Sequence, residues 1–353
     1  MELFTIGPVE MYESTLNIRS RQIPYFRTTD FSKLNLETDE MLKRTIGTSN
    51  ESKVIYLTAS GTAAMEATVM NCLDADEDYV LVIEGGTFGK RFAQICEVHG
   101  IKYKSIKLSN YEELTLEHLS EVRNEKFTAL LVNLHETSTG QLYDVKMLSE
   151  FCKSKNMLFI VDAISTFLCD NYEMDNWGID ATIISSQKGL CVAPGMSMVV
   201  LNEKILSKKV MNNSVKSIYF NFKDYIINME RGQTPFTPAV GIMYEINDML
   251  RRIDKIGLDR HLSDIDNICK DFRHRIEKLP VSIPKFTLSN AITPVIFEKE
   301  IATYVYEQLV KNEGIYVNPS GGEIGKNMFR VAHVGNHVVE DNERLVKAIE
   351  KYL

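Results

Sequence analysis

Residues 157–165 read MLFIVDAIS and residues 181–190 read ATIISSQKGL. Each is an unbroken apolar run that leads into a chargeable residue, Asp162 in the first and Lys188 in the second. Runs of this length without polar alternation are what strands covered on both faces require. The pattern recurs outward in both directions, in VIYLT (54–58), YVLVIE (79–84), YKSIKL (103–108), ALLVNL (129–134) and MSMVVL (196–201). Helical periodicity separates the runs, in GTAAMEATVMNCL (61–73), KRFAQICEVHG (90–100) with Gly100 placed to end its helix, and VKMLSEFCKSKN (145–156). Strands and helices in this order predict an α/β fold on an open, mainly parallel sheet, its ligand crevice beyond the carboxyl ends of the strands.

After Gly232 the pattern changes. The turn TPFTPAV (234–240) leads into a helical stretch from Gly241 to Leu279 with a break expected near Gly257. Strand candidates ITPVIF (292–297) and MFRVAHV (328–334), the helical IATYVYEQLVKNEG (301–314) and a closing helix describe a smaller α+β domain. The expected division is therefore a large domain over residues 1–240 and a small one over 241–353. With 353 residues, two domains also agree with a loose prior of about 150 residues each.

Composition excludes several classes of function. A 44% hydrophobic and 25% charged chain has ample material for a full core. The net charge of −8 argues against a nucleic-acid surface. The six cysteines, at 72, 96, 152, 169, 191 and 269, form no CxxC pair, so no zinc ribbon or thioredoxin motif can be drawn and no metal site is expected. They read as reduced core thiols of a cytoplasmic protein. No apolar run approaches the roughly 18 residues of a membrane span.

The residues able to do chemistry stand just past strand ends. Thr58 to Ala64 follow VIYLT and open a helix; small side chains there let backbone amides approach an anion, and the hydroxyls of Ser60 and Thr62 add donors. A plain helix cap by Ser60 or Thr62 is the alternative. Asp162 ends a buried strand and needs a cation, a donor or a structural ion pair opposite it. Lys188, among small and apolar residues, would lose solvation and offer a nucleophilic amine, unless it is an ordinary surface lysine. An anion cup, a buried carboxylate and a lysine are the parts that pyridoxal phosphate requires.

With these residues in place, the sequence resembles the class V aminotransferases of pyridoxal-phosphate fold type I, the group of alanine–glyoxylate, serine–pyruvate and 2-aminoethylphosphonate–pyruvate transaminases. The resemblance runs from GPVE (7–10) to FRVAHVG (329–335) and carries five motifs in order. It implies a mixed, mainly parallel sheet sandwiched by helices, with the N-terminal segment lining the active site. It makes Lys188 the aldimine lysine, Gln187 a phosphate contact, Asp162 the partner of the pyridine nitrogen, and Ile164 the side chain packed under the ring. Ser60, Gly61 and Thr62 match the phosphate turn. Phe88, in EGGTFGKR (84–91), falls where relatives stack an aromatic ring on the cofactor, and Thr137, in HETSTG (135–140), resembles the hydroxyl that meets the ring oxygen.

The resemblance also implies a homodimer with shared active sites, since Thr234 and Thr237 match positions that reach the neighbouring subunit's phosphate. Arg330 resembles the arginine that grips the substrate carboxylate, and Gly7 the turn that lines the substrate pocket. The expected activity is a ping-pong transfer of an amino group between a small amino acid, or an aminoalkylphosphonate, and a 2-oxo acid such as pyruvate or glyoxylate. Arg19, Arg21 and Arg27 crowd the segment 17–31, where one of them could bind a second anionic group or make surface pairs. A cysteine desulfurase or selenocysteine lyase shares the fold, but only Cys269 follows Cys191, in a predicted helix, and the stacking position is Phe88 rather than histidine. A non-catalytic binding protein on the same fold is the remaining alternative.

Overall fold

A computed structural model describes residues 1–353. The chain opens with a short strand, β1 (Glu2–Phe4), and two helices, α1 (Glu13–Arg19) and α2 (Thr29–Ile46). The apolar runs then become β2 (Lys53–Leu57), β3 (Tyr79–Glu84), β4 (Lys102–Lys107) and β5 (Ala129–Asn133). A two-strand ribbon, β6 (His135–Glu136) and β7 (Gln141–Leu142), precedes β8 (Leu158–Asp162), β9 (Ala181–Ser185) and β10 (Ser197–Leu201). The helices among them are α3 (Gly61–Cys72), α4 (Thr87–Val98) and α5 (Val145–Lys155), followed by α6 (Phe222–Met229).

Seven strands join in the order β2-β10-β9-β8-β5-β3-β4. All run in one direction except β10, which is antiparallel to both of its neighbours, so the sheet is mixed but mainly parallel. β5, β8, β9 and β10 are buried at every position, which is why their sequences show no polar alternation. Side chains still alternate between faces: Phe159 and Val161 enter one apolar cluster, and Leu158 and Ile160 the other. β4, KYKSIK, is the outer strand, and its lysines discourage further pairing.

Two long helices follow, α7 (Val240–Ile256) and α8 (Leu258–Ile276), divided at Gly257 with φ of +90°. The remaining elements are β11 (Val281–Ser282), β12 (Ile292–Phe297), α9 (Ala302–Gln308), β13 (Ile315–Pro319), β14 (Met328–Ala332) and α10 (Val339–Glu350). A second sheet has the order β1-β13-β14-β12-β11.

Two packing relations cross the boundary expected near residue 240. β1 pairs in parallel with β13, Glu2 opposite Ile315, so the first strand belongs to the C-terminal sheet. Conversely, Val240, Met243, Ile246, Met249, Leu250 and Ile253 of α7 pack into the larger core beside Phe31 and Leu42 of α2. A three-residue strand carries too little periodicity to announce a partner more than 300 residues away. No helix is long and apolar enough to cross a membrane.

Candidate active site

Parallel strands bring their carboxyl ends to one side of the sheet, and the segments that follow β2, β3, β5, β8 and β9 meet there. Ser60, Gly61, Thr62, Phe88, Thr137, Asp162, Ile164, Gln187 and Lys188 line a single cavity of about 130 Å³. Nine positions singled out along 130 residues of chain are thus brought together. Arg91, His135 and Ser165 complete the lining and were not foreseen. Each stands within a motif already quoted, but residue type alone did not separate it from its neighbours.

The floor is the start of α3. Ser60 caps that helix, its Oγ accepting from Ala63 N at 3.3 Å, so the cap expected as the bland alternative coexists with an open helix N-terminus. Gly61 is required: a Cβ there would lie 2.5 Å from Cδ1 of Ile164. On the far side Ser185 donates to Oε1 of Gln187 at 2.6 Å.

Asp162 is only 6% exposed, and Ile164 N donates to its Oδ1 at 2.8 Å. Burial pushes its pKa up to about 7, aided by the charge of Glu136 and opposed by Lys188 and Arg91. Burial acts oppositely on Lys188, bringing it down to about 8 against the pull of Asp162. Backbone packs tightly on that lysine: a Cβ on Gly7 would stand 2.9 Å from its Cδ, Cε and Nζ, and Gly7 has φ of +150°. Gly7→Ala is therefore expected to displace the amine and lower cofactor occupancy roughly tenfold, about 1.4 kcal/mol, as read by titration of the cofactor-free protein.

The segment after β5 supplies a hydrogen-bonded wall. Thr137 Oγ1 and Ser165 Oγ are 2.9 Å apart, and His135 Nδ1 donates to Ser165 O at 3.3 Å. Nε2 of His135 is buried without a partner, and burial holds this imidazole uncharged, its pKa lowered to about 3. Glu136 is fully buried and has no cation; its Oε2 accepts from Gly89 N and Asn133 Nδ2, both at 3.0 Å. Its Oε1 accepts from Ser138 N at 3.1 Å, Phe88 N at 3.4 Å and the Ser138 hydroxyl. It thereby ties the start of α4, and with it Phe88, to the wall. Glu136→Gln turns an amide NH₂ toward donors whichever way it flips, and should lower stability by about 2–3 kcal/mol in thermal or denaturant unfolding.

Arg330, on β14, borders an adjoining cleft of about 560 Å³ with Asn110, Ser138, Thr139 and Ser320; Phe88 faces both spaces. Its Nη1 and Nη2 donate to Thr137 O at 2.9 Å and Pro319 O at 2.8 Å, while Nε is buried and unpaired. Thr234 and Thr237 line neither space. Thr234 is buried and donates to Phe236 O at 2.7 Å, whereas Thr237 is exposed. The arginines of segment 17–31 also stay outside. Arg27 clasps the turn, donating to Gln233 Oε1 at 3.1 Å and Thr234 O at 2.9 Å, and Arg19 pairs with Glu245 at 3.4 Å; Arg21 is exposed.

A helix N-terminus with spare amides, an enclosed lysine and a buried carboxylate without a cation fit a phosphorylated pyridine aldehyde. Fold and cavity together define a pyridoxal-phosphate enzyme of fold type I. The aminotransferase class-V family model matches residues 11–338, and the chain belongs to that family as a pyridoxal-phosphate-dependent transaminase. It is 27% identical to an uncharacterized aminotransferase of Methanocaldococcus jannaschii, covering 93% of this chain and 86% of that one. It is 25% identical to the serine–glyoxylate aminotransferase of Hyphomicrobium methylovorum, over 94% and 84% of the two chains. Alanine–glyoxylate aminotransferase from Nostoc sp. superposes with a TM-score of 0.91 at 24% identity, covering 99% of this chain and 94% of that one.

Proposed function

We propose that the enzyme moves an amino group between a small amino acid, or an aminoalkylphosphonate, and a 2-oxo acid such as pyruvate or glyoxylate, in a ping-pong cycle centred on Lys188. The observation that carries this reading is the convergence of Lys188, Asp162 and the Ser60–Thr62 turn on one cavity. Bound pyridoxal phosphate supplies an electron sink for the pair left behind when the α-carbon loses its proton. The rest is done by the chain. Backbone amides at the start of the 12-residue α3 bind the phosphate, with Ser60, Thr62 and Gln187 around them. Asp162, its Oδ1 held by Ile164 N, keeps a proton on the ring nitrogen. Phe88 and Ile164 would enclose the ring and Thr137 would offer it a hydroxyl.

Lys188 carries the cofactor through Nζ. With the cofactor bound, the Nζ amine would be the group that takes and returns the donor's α-proton. A pKa lowered to about 8 leaves part of that amine uncharged near neutrality, as a general base requires. The guanidinium of Arg330 has further N–H groups with which to hold the donor's α-carboxylate from the adjoining cleft. The reading includes a cytoplasmic homodimer in which Thr234 and Thr237 serve the partner's site. Its support is that Arg27 holds their turn in place, that Thr237 is exposed and does not line this chain's cavity, and that Tyr25 and Ile218 are apolar and exposed.

A desulfurase reading lacks its nucleophile. All six cysteines are buried; Cys269 lies inside α8, and burial pushes its thiol up to about 11. The decisive experiment is a half-reaction screen of the cofactor-loaded protein with alanine, serine, aspartate and 2-aminoethylphosphonate. Loss of the visible cofactor absorbance with one of them, and its return on adding glyoxylate or pyruvate, is expected. No response to any donor, or sulfide release from cysteine at a comparable rate, would remove the proposal.

A further inference from the structure

We propose that Arg91 is a cationic ligand of the cofactor's phosphate, an arm reaching from α4 to the anion cup at the start of α3. The inference rests on the functional reading above, because it concerns the same cavity. Arg91 stands in the second turn of α4 and lines that cavity together with Ser60, Gly61 and Thr62. Its Nη1 donates to Thr62 Oγ1 at 3.1 Å, and its guanidinium carbon lies 5.0 Å from the centre of the Phe88 ring.

No carboxylate lies within ion-pair distance of it, and Asp162 acts on it only through space. Elsewhere in the molecule Arg44 pairs with Asp254 at 2.6 Å and Arg251 with Glu37 at 2.6 Å, whereas Arg91 has a hydroxyl and an aromatic face for company. A guanidinium presents five N–H donors, so most of its capacity is free toward the cavity. Partly stripped of water and without a counter-ion, it is a site waiting for an anion.

Two further observations identify that anion as the phosphate rather than a substrate group. First, Thr62 accepts from Arg91, which leaves its own hydroxyl proton free to point toward the helix N-terminus. The guanidinium polarises that O–H, and both act on one acceptor. Second, the cup is otherwise neutral. Its amides, hydroxyls and Gln187 carry no charge, His135 is held uncharged by burial, and Lys188 is committed to the cofactor's carbonyl carbon. A phosphate monoester carries a charge of about −1.5 to −2 near neutrality, so Arg91 is the lining cation left to balance it. Arg330 borders the other cleft.

The test compares vitamers. Full-length wild type, Arg91→Gln and Arg91→Lys, each freed of cofactor and checked for fold by circular dichroism, are titrated with pyridoxal 5′-phosphate and with unphosphorylated pyridoxal. Arg91→Gln is expected to weaken binding of the phosphorylated vitamer about 10- to 100-fold and to leave pyridoxal within about twofold of wild type. Arg91→Lys should recover part of the loss. Inorganic phosphate should compete with the phosphorylated vitamer in wild type and at least about tenfold more weakly in Arg91→Gln.

An equal loss for both vitamers would overturn the inference, since Arg91 would then act only by holding Phe88. Unchanged affinity for both would overturn it as well, including the case in which only the KM for aspartate rises and Arg91 serves a substrate carboxylate. A wild-type protein that takes up neither vitamer sinks the functional reading itself and this inference with it. That outcome is distinct from a wild type that binds and a variant that binds as well.

Discussion

Lys188→Ala is expected to lower turnover by roughly four orders of magnitude while leaving the protein folded. General acid–base catalysis by a positioned side chain contributes about 10²–10⁴-fold, and in the proposed function the same amine would also form and release the covalent link to the cofactor. Both contributions vanish together. Stability should not fall, because burial opposes the ammonium form of this lysine in the folded protein. The variant should still take up the cofactor through the phosphate cup and the Phe88 face, but borohydride should no longer fix it to the chain. A small external amine such as methylamine should restore part of the proton transfer. Turnover near the wild-type rate, or cofactor still fixed by borohydride, would assign the chemistry to another group.

Asp162→Asn should separate stability from function. A buried carboxyl whose pKa rises from its ordinary 3.8 to about 7 is harder to ionise in the fold than in the unfolded chain. At 1.36 kcal/mol per pKa unit the cost is at most about 4 kcal/mol. The sign follows from proton binding. Below about pH 4 both states are protonated and there is no cost. Between about pH 4 and 7 the folded state holds a proton that the unfolded state has lost, so stability falls as pH rises, and above about pH 7 the full cost is present. The amide in Asp162→Asn is never ionised and can still accept from Ile164 N. The cofactor-free variant should therefore melt higher than wild type above pH 7, with the gain shrinking to nothing near pH 4.

Activity should move the other way. Without a carboxylate the ring nitrogen loses its proton and the carbanion-like transition state loses a fixed opposite charge, a change worth about 10²–10³-fold in turnover. The combination has a plain physical meaning. The fold would then tolerate a buried carboxyl that Lys188 and Arg91 offset only in part and that a bound, protonated ring would compensate further. Melting curves of both proteins from pH 4 to 8, with and without pyridoxal phosphate, test this. A variant that is less stable at every pH, or that keeps wild-type turnover, contradicts it.

Much of this was legible along the chain because the signals are local. Each sheet strand shows its apolar run within five or six residues, and the turns after them show small residues and hydroxyls where an anion must approach. Gly257, where two long helices part, is equally local. Arg91, His135 and Ser165 were not legible as site residues, although they stand beside Phe88, Thr137 and Ile164. What distinguishes Arg91 is the lack of a carboxylate partner, His135 an orphaned ring nitrogen and Ser165 its hydroxyl contact with Thr137, and none of these has a sequence pattern.

By itself the sequence determined the α/β class, the order of strands and helices, and the Ser60–Thr62 turn, Asp162 and Lys188 at strand ends, since period and turn chemistry act over short stretches of backbone, while the family resemblance added Phe88, Thr137, Ile164 and Gln187 to the same cavity. The tertiary structure alone decided that β1 joins the C-terminal sheet and that α7 packs on the large core. It also decided that Arg19 and Arg27 are spent on Glu245 and the 233–235 turn, and that Arg91 has no counter-ion. An arginine's charge is written in its codon, but whether a carboxylate answers it depends on which distant segments packing brings within hydrogen-bond reach.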